Sequence, residues 1–315
     1  MVVEKQKRRR GKKNSDGHTG NTHVKDDTSA SGYKPHNSFL INISEEEAPM
    51  WYECAKSIPG RDDSIFDVET PSTNTQNTSL ARKYRSLADE IYRAELSLTG
   101  ATSSGGKAAS DERWVENTMK RGTLKDRIAA TSVLVSTDPV HKLSSLDNLL
   151  SMAGCTDAGQ SNSRVAQMAA EALEDLFLNT LFPPGRKLLS LEQRPLSTYE
   201  ASSNMTLSPR VLLLWRFEEM LKERFQSFLN GYLVATLRDG MDLNKTFALR
   251  TAGTMLRSTP EGEAQLLSMM VNKLGDPGKK IAASAGHELR RVLEEHDNMQ
   301  EIAAREVCNT RLGPC

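Results

Sequence analysis

Cysteine is scarce in this chain, and its few positions lie far apart. The 315 residues include four cysteines, and none of them forms a Cys-x-x-Cys pair; they are Cys54, Cys155, Cys308 and Cys315. Structural zinc sites use closely spaced ligand pairs, so this spacing argues against a metal site. Free thiols in a reducing compartment fit the pattern better than a disulfide framework.

Long apolar runs are also missing. No stretch approaches the roughly 20 apolar residues that a membrane-spanning helix needs, so we expect no membrane partner. The first residues, MVVEKQKRRR, carry basic side chains with no apolar segment behind them, which argues against a signal peptide. The mean hydropathy is −0.52 and 26% of the residues are charged, which indicates that part of the chain does not fold.

Motifs typical of enzymes do not occur. The stretch Gly100–Ala108 looks like a phosphate-binding loop, but its lysine comes one position late and Ala108 replaces the Ser or Thr that would hold magnesium. We interpret Gly100–Gly106 as a linker. The six histidines form no His-Glu-x-x-His pattern, and His141 fits a structural role near the start of a helix. The sequence therefore predicts a non-enzymatic protein with no cofactor, no metal and no small-molecule substrate.

Positive charge is concentrated near the N-terminus, although Lys plus Arg and Asp plus Glu number 41 each. Residues 5–13 read KQKRRRGKK, which is typical of a nuclear or nucleolar address and can also neutralise phosphates. A solvated tail without an address is the alternative. The predicted localisation signal comprises Lys7, Arg8, Arg9, Arg10, Lys12 and Lys13.

Residues 1–78 are rich in small polar residues and lack apolar periodicity, so we expect a disordered tail. One apolar island interrupts it, formed by residues 39–43 and, a few positions later, residues 50–52. Such islands dock onto a partner, fold back onto their own domain or collapse locally, and the sequence leaves these outcomes open.

Apolar side chains recur at helical spacing from about Leu80, and no convincing alternating segment is present, which predicts an all-α domain over residues 79–307. Thr123 with Asp126 predicts a capping box. Four helices are expected to begin with an N-cap residue followed by proline. These starts are Asp138–Pro139, Ser208–Pro209, Thr259–Pro260 and Asp276–Pro277. The predicted helices span residues 80–98, 114–119, 124–135, 140–150, 165–177, 209–237, 243–256, 260–274 and 277–293.

A repeated helical hairpin is the strongest pattern in the C-terminal part. Residues 271–293 predict a helix, a two-residue turn and a second helix. Ala252-Gly253 recurs as Ala285-Gly286 about 33 residues later, while the ankyrin and tetratricopeptide signatures are missing. A hairpin of this kind needs stacked neighbours to bury its apolar stripe, so we predict a HEAT/armadillo-like helical-repeat solenoid.

An irregular stretch, residues 183–208, separates two helical segments. Loops on a rigid scaffold often carry its contacts, and cations meet phosphates, so Arg186, Lys187 and Arg194 are the candidate RNA-contacting residues. The adjacent acid pairs Glu218–Glu219 and Glu294–Glu295 are interpreted as solvated helix faces.

Three separated motifs occur in one order: WVENTMKRGTLKDRIAATSVLVSTDPVHKLSSLDNLL at 114–150, LFPPGRKLLSLEQRPL at 181–196 and VNKLGDP at 271–277. Over residues 80–307 the chain resembles the CCAAT/enhancer-binding protein zeta family. The resemblance implies an α-solenoid in the nucleolus that binds precursor ribosomal RNA and a second nucleolar complex protein during large-subunit assembly. Older descriptions of the family as a transcription factor imply a different role.

The end of the chain departs from the family pattern. Residues 296–307 continue it, whereas CNTRLGPC at 308–315 diverges, and the CCAAT-binding-factor domain of the family does not follow. We therefore expect a truncated chain whose last hairpin, residues 277–293, presents an unprotected apolar flank.

The leading hypothesis is a non-enzymatic nucleolar scaffold in large ribosomal subunit biogenesis, with precursor ribosomal RNA and assembly factors as partners. One alternative is a CCAAT-associated transcription cofactor, although no base-reading motif is found in the sequence. The other is a HEAT adaptor that binds proteins only.

Overall fold

The computed structural model of the chain describes residues 50–56, 75–102, 107–155, 163–201, 207–239 and 241–312. Within these ranges every regular element is a helix, and no strand occurs. The prediction of an all-α fold is therefore confirmed.

Thirteen α-helices follow one another in the described ranges. They are α1 (Trp51–Lys56), α2 (Thr75–Thr102), α3 (Lys107–Arg121), α4 (Leu124–Thr137), α5 (Leu143–Ala153), α6 (Ser163–Leu176), α7 (Leu196–Ala201), α8 (Pro209–Phe228), α9 (Ala235–Asp239), α10 (Asp242–Ser258), α11 (Glu263–Lys273), α12 (Lys279–Glu295) and α13 (Met299–Leu312). Two π-helical turns, Phe177–Leu181 and Leu229–Val234, extend α6 and α8, and Leu191–Gln193 forms a 3-10 turn.

One series of helices packs in succession: α4 contacts α6, α6 contacts α10, and α10 contacts α12. Two further pairs lie beside this series, since α5 contacts α8 and α11 contacts α13. Helix α5 also packs against α4 and α6, and α11 packs against α10 and α12. Helices α1 and α2 pack against α8.

An aromatic cluster lies where α6 and α8 pass into their π-helical turns. The Phe177 ring centroid is 5.2 Å from those of Phe182 and Phe225, and the centroids of Phe228 and Tyr232 are 5.6 Å apart. All five rings are buried. Buried aromatic pairs in these arrangements add to the free energy gained from area burial, so the cluster joins α6 firmly to α8.

The second part of the N-terminal apolar island, residues 50–52, folds back onto the helical domain. Trp51 is buried, its Nε1 donates to the Leu181 carbonyl at 2.8 Å, and its ring centroid lies 5.1 Å from that of Phe217. This contact confirms the fold-back alternative for residues 50–52. The predicted disordered tail of residues 1–78 is wrong at 51–56 and 75–78, which are helical, and stays a prediction over its remaining residues. The first part of the island, residues 39–43, lies outside the described residues.

Two of the predicted helix starts are confirmed by the structure, and three are not. Thr123 forms the expected capping box with Asp126, and Ser208 is the N-cap of α8 with proline at the first helical position. The other three Pro assignments are wrong, because each proline lies in a turn that precedes the helix. The observed N-cap residues of α5, α11 and α12 are Lys142, Gly262 and Gly278.

Two boundary predictions and one prediction about surface exposure also need correction. The predicted linker at 100–106 begins too early, because α2 continues to Thr102. The irregular stretch at 183–208 contains the short helix α7. The expected apolar flank of residues 277–293 is wrong, because α10, α11 and α13 contact α12, and Ile281, Ala285, Leu289 and Val292 are all buried.

The repeated Ala-Gly pairs occupy different environments. A Cβ added to Gly253 would lie 2.8 Å from Glu288 Oε2 and 3.1 Å from Glu288 Cβ, so glycine allows the close approach of α10 and α12. The Glu288 carboxylate is buried and held by Arg257 at 3.0 Å. A Cβ added to Gly286 would meet nothing nearer than Leu274 Cδ2 at 3.7 Å.

We predict opposite effects of alanine at these two glycines. Gly286→Ala should raise the free energy of unfolding by up to about 1 kcal/mol, because alanine is the better helix former. Gly253→Ala should lower the free energy of unfolding by about 1–2 kcal/mol, since overpacking outweighs the helix propensity. Urea unfolding of both variants measures the two values. Equal stabilisation by the two substitutions would contradict the close contact of α10 with α12.

Candidate functional site

The 182–195 loop is the largest described segment with little regular structure. It follows the π-helical turn that ends at Leu181 and reaches α7, with one 3-10 turn inside it. The side chains of Leu188 and Leu191 are fully buried, and the hydrogen bonds of their backbone N–H groups are buried as well. Buried N–H groups require acceptors, and outside its 3-10 turn this loop has no helix or sheet to supply them.

Glu218 of α8 supplies one acceptor. Its carboxylate is 2% exposed and accepts from the Leu189 N–H at 2.8 Å, from Arg194 Nη2 at 2.7 Å and from both terminal nitrogens of Arg186. Burial alone would raise the pKa of Glu218. The charge of Arg194 and the hydrogen bond from Arg186 outweigh burial and hold this pKa below its ordinary value.

Glu219, the next residue of α8, supplies a second acceptor. It accepts from the Leu191 N–H at 3.1 Å, from Arg85 Nη2 at 2.7 Å and from Arg216 Nη1 at 2.8 Å. Arg85 belongs to α2, so one carboxylate joins α2, α8 and the loop. Burial opposes ionisation here too, but the hydrogen bonds from Arg85 and Leu191 lower the pKa of Glu219.

Glu261, in the turn before α11, supplies the third acceptor. Its Oε2 accepts from the Leu188 N–H at 2.6 Å, while Lys222 Nζ donates to the Leu188 carbonyl at 2.7 Å. The Lys222 ammonium is 4.0 Å from Glu261 Oε1. Burial outweighs this cation and raises the pKa of Glu261. Three carboxylates from two parts of the chain thus fix three successive points of the loop.

The structure changes the interpretation of the predicted RNA contacts in this loop. Arg194 is 2% exposed, lies 4.9 Å from the Trp215 ring centroid and pairs with Glu218, so its selection as a surface phosphate contact is wrong. Arg186 also pairs with Glu218 and is one third exposed. Lys187 pairs with Glu263 and is 52% exposed. Contact of RNA with Arg186 or Lys187 stays a prediction.

The interpretation of Glu218–Glu219 as a solvated face is also wrong. Both residues are buried because the 182–195 loop covers this side of α8. Sequence reasoning missed Glu261 and Lys222 as well. Glu294 and Glu295 are exposed, as expected.

A second cluster of charged side chains surrounds His141, in the turn between α4 and α5. Its Nδ1 lies 2.7 Å from Asp138 Oδ2, and its Nε2 lies 3.3 Å from Glu95 Oε1, a carboxylate that is fully buried. Burial lowers the pKa of His141, but the hydrogen bonds to Asp138 and Glu95 outweigh it and raise the pKa to about 9. His141 is therefore charged at neutral pH, and its predicted structural role agrees with these contacts.

The predicted localisation signal, residues 7–13, lies outside the described residues. Within the described ranges no group of three or more His, Cys, Asp or Glu residues is placed to hold a metal ion. Cys155 and Cys308 have free thiols, and burial raises the pKa of Cys155 to about 12. In the described ranges no helix is long and apolar enough to cross a membrane.

Over the described residues, the fold and the loop contacts define an all-helical protein in which buried carboxylates bind the backbone of the 182–195 loop. No protein-family model matches the chain. Curated relatives do match it. Over 238 residues, 75% of this chain and 22% of the relative, it is 34% identical to CCAAT/enhancer-binding protein zeta of Homo sapiens. Over 279 residues, 87% of this chain and 22% of the relative, it is 30% identical to Nucleolar complex protein 1 of Drosophila melanogaster.

Ribosome biogenesis protein NOC1 of Chaetomium thermophilum is a further relative, 29% identical over 62% of this chain and 19% of its own length. The chain is homologous to members of the CCAAT/enhancer-binding protein zeta and nucleolar complex protein 1 family, so the resemblance drawn from the three motifs is confirmed. It spans about a fifth of the length of the curated relatives that it matches.

We predict that Glu218→Gln destabilises the fold strongly. The glutamine keeps an oxygen for the Leu189 N–H but leaves the Arg194 charge without its buried counterion, a change that costs about 3–5 kcal/mol. Glu263→Gln is the matched control, because its partner Lys187 is half exposed and such pairs contribute about 0–1 kcal/mol. Urea unfolding gives both values, and similar losses in the two variants would contradict the account.

The raised pKa of His141 predicts a pH-dependent stability. Since the folded pKa of about 9 exceeds the ordinary 6.5, the contribution is complete below pH 6.5 and is lost as the pH rises through 9. The shift corresponds to about 3 kcal/mol. The stability difference between wild type and His141→Gln should therefore shrink from pH 6 to pH 10. His287→Gln, at an exposed position, is the control substitution. A pH-independent difference for His141→Gln would rule out the linkage.

Proposed function

We propose that this chain acts as a non-enzymatic nucleolar scaffold in large ribosomal subunit biogenesis, where it binds precursor ribosomal RNA and assembly factors. The observation that carries the proposal is its homology to Nucleolar complex protein 1 and to Ribosome biogenesis protein NOC1. A second nucleolar complex protein is the first partner to test, since the relatives' names describe members of a complex. The proposal assigns no catalytic step to the chain.

The helix contacts support the scaffold part of this proposal. The stacked helices α4, α6, α10 and α12, with α5 and α11 each packed against two successive members, fit a HEAT/armadillo-like solenoid. Each repeat in such an array contacts mainly its neighbours, and the array offers extended surfaces to partners. We infer that the described helices present such a surface.

The basic cluster supports the proposed location. Six cations within seven positions, Lys7 to Lys13, suit both nucleolar targeting and weak contact with RNA phosphates. In the proposal this cluster brings the chain to the nucleolus, and the helical part selects its partners there.

The name of the human relative, CCAAT/enhancer-binding protein zeta, favours a second candidate, a CCAAT-associated transcription cofactor. Preferential retardation of a CCAAT duplex over a scrambled duplex would support that role. A HEAT adaptor that binds only proteins is the remaining alternative, and its partners would stay bound after nuclease treatment.

We predict that the tagged chain, isolated from cells, carries large-subunit precursor RNA together with assembly factors, and that nuclease removes the RNA. Replacing the six cations of residues 7–13 by glutamine should abolish nucleolar localisation and reduce RNA recovery. The control replaces six exposed cations of the described helices by glutamine and should behave as wild type; these are Arg82, Lys125, Arg238, Lys279, Lys280 and Arg290. A soluble, abundant chain without precursor RNA would overturn the proposal.

A further inference from the structure

A groove of about 800 Å³ lies between α3 and α4. Five apolar residues take part in its lining, Trp114 and Val115 of α3 and Ala129, Ala130 and Val133 of α4, and polar side chains complete it. Trp114 is 67% exposed and Val133 is 53% exposed, although both side chains are large and apolar. Adjoining apolar groups that remain in water mark a surface that binds something, so this groove is a candidate docking surface.

The groove belongs to the first helices of the stack. Helix α3 packs against α4, and α4 packs against α6. The end of a stacked helical array needs a cover, because the apolar surface that would meet a further helix otherwise faces water. A short apolar segment laid along α3 and α4 would provide this cover.

The N-terminal apolar island supplies such a segment. Residues 39–43 read FLINI, so four of the five side chains are apolar. The second part of the island, residues 50–52, already lies against the helical domain through Trp51. Residues 39–43 are therefore tethered to a docked residue. A segment on a short tether has an effective concentration in the millimolar range, which favours it over a free partner with the same side chains.

The tether is long enough to reach the groove. Trp51 is held at Leu181, the last residue of the π-helical turn that extends α6. Packed helices lie about 8–10 Å apart, so α3 is about 20 Å from α6 across α4, and the groove is nearer. Seven residue steps separate Ile43 from Met50, and they span up to about 25 Å. The groove is therefore within reach of residues 39–43.

The segment also matches the groove in length and pattern. Along α4 the lining extends from Asp126 to Val133, which is about 10 Å at 1.5 Å per residue. An extended chain rises about 3.3 Å per residue and points alternate side chains to one side, so Phe39, Ile41 and Ile43 would share one side over about 13 Å. Three apolar side chains of the segment can thus face the apolar lining together.

We propose that residues 39–43 dock into the groove between α3 and α4 of their own chain and cover Trp114 and Val133. The segment acts as a cap on the first helices of the stack, with Phe39, Ile41 and Ile43 against the apolar lining. The proposal is independent of the role in ribosome assembly, because it concerns a contact within the chain.

Photocross-linking in the full chain tests the docking directly. The photoreactive residue p-benzoylphenylalanine replaces Ile41, and mass spectrometry locates the cross-linked peptide. We expect cross-links to residues 114–133, whereas the same probe in place of Tyr33 should give none to that stretch. A mixture of 15N-labelled and unlabelled chains shows whether a cross-link joins one chain or two.

A charge placed in the groove provides a second arm of the experiment. Val133→Glu puts a carboxylate among apolar side chains and should lower the cross-link yield about tenfold. Ser136→Glu is the matched control, because Ser136 is exposed on the same helix and lies outside the lining. Both positions are exposed, so neither substitution disturbs the core.

Oxidation of Trp114 by hydroxyl radicals needs no cross-linker in the chain. Ile41→Asp should raise the oxidation rate of Trp114 about threefold, because a carboxylate prevents the segment from docking against apolar side chains. Asn42→Asp is the matched control, since it adds the same charge on the other side of the extended segment. Trp215 is buried and serves as the internal reference.

The outcomes decide between a cap and other occupants of the groove. Cross-links within one chain to residues 114–133, lost in Val133→Glu and kept in Ser136→Glu, support the cap. Cross-links between labelled and unlabelled chains would assign the groove to a second copy and overturn the proposal. Cross-links elsewhere, or none, together with equal oxidation of Trp114 in Ile41→Asp and Asn42→Asp, would leave the groove to a different molecule and overturn the proposal as well.

Discussion

The conformation of the 182–195 loop depends on three buried carboxylates, those of Glu218 and Glu219 in α8 and of Glu261 before α11. Leu188, Leu189 and Leu191 turn the 182–195 loop against the core, and their N–H groups would be left without acceptors if Glu261, Glu218 and Glu219 did not reach them. An unpaired buried donor costs about 1–3 kcal/mol, so the loop conformation depends on these contacts.

The carboxylates in turn require cations, since buried charges are tolerated only when they are paired. Arg194 and Arg186 serve Glu218, whereas Arg85 and Arg216 serve Glu219. The cations come from the loop itself, from α2 and from α8, so one set of charges joins three parts of the chain. Charged residues that the sequence alone places on the surface, such as Glu218 and Arg194, form buried ion pairs between these parts.

The sequence is sufficient to predict most helices but not this charged network. Helical periodicity finds α4, α6, α8, α10 and α12 because each buries a continuous stripe, and a local cap such as Thr123 with Asp126 depends only on near neighbours. The fate of Glu218 depends on a loop about 30 residues earlier in the chain, and no spacing rule for α8 alone predicts that the loop covers it. The contact between His141 and Glu95 joins residues 46 positions apart, so local spacing does not predict it either.

The measurement that tests the anchored loop most directly is hydrogen exchange at the amides of Leu188, Leu189 and Leu191 in the wild-type chain. The account predicts protection comparable to that of the interior amides of α8, because each amide is bound to a buried carboxylate. Exchange of these three amides at the rate of an unstructured segment would show that the carboxylates do not hold the loop, and would contradict the account.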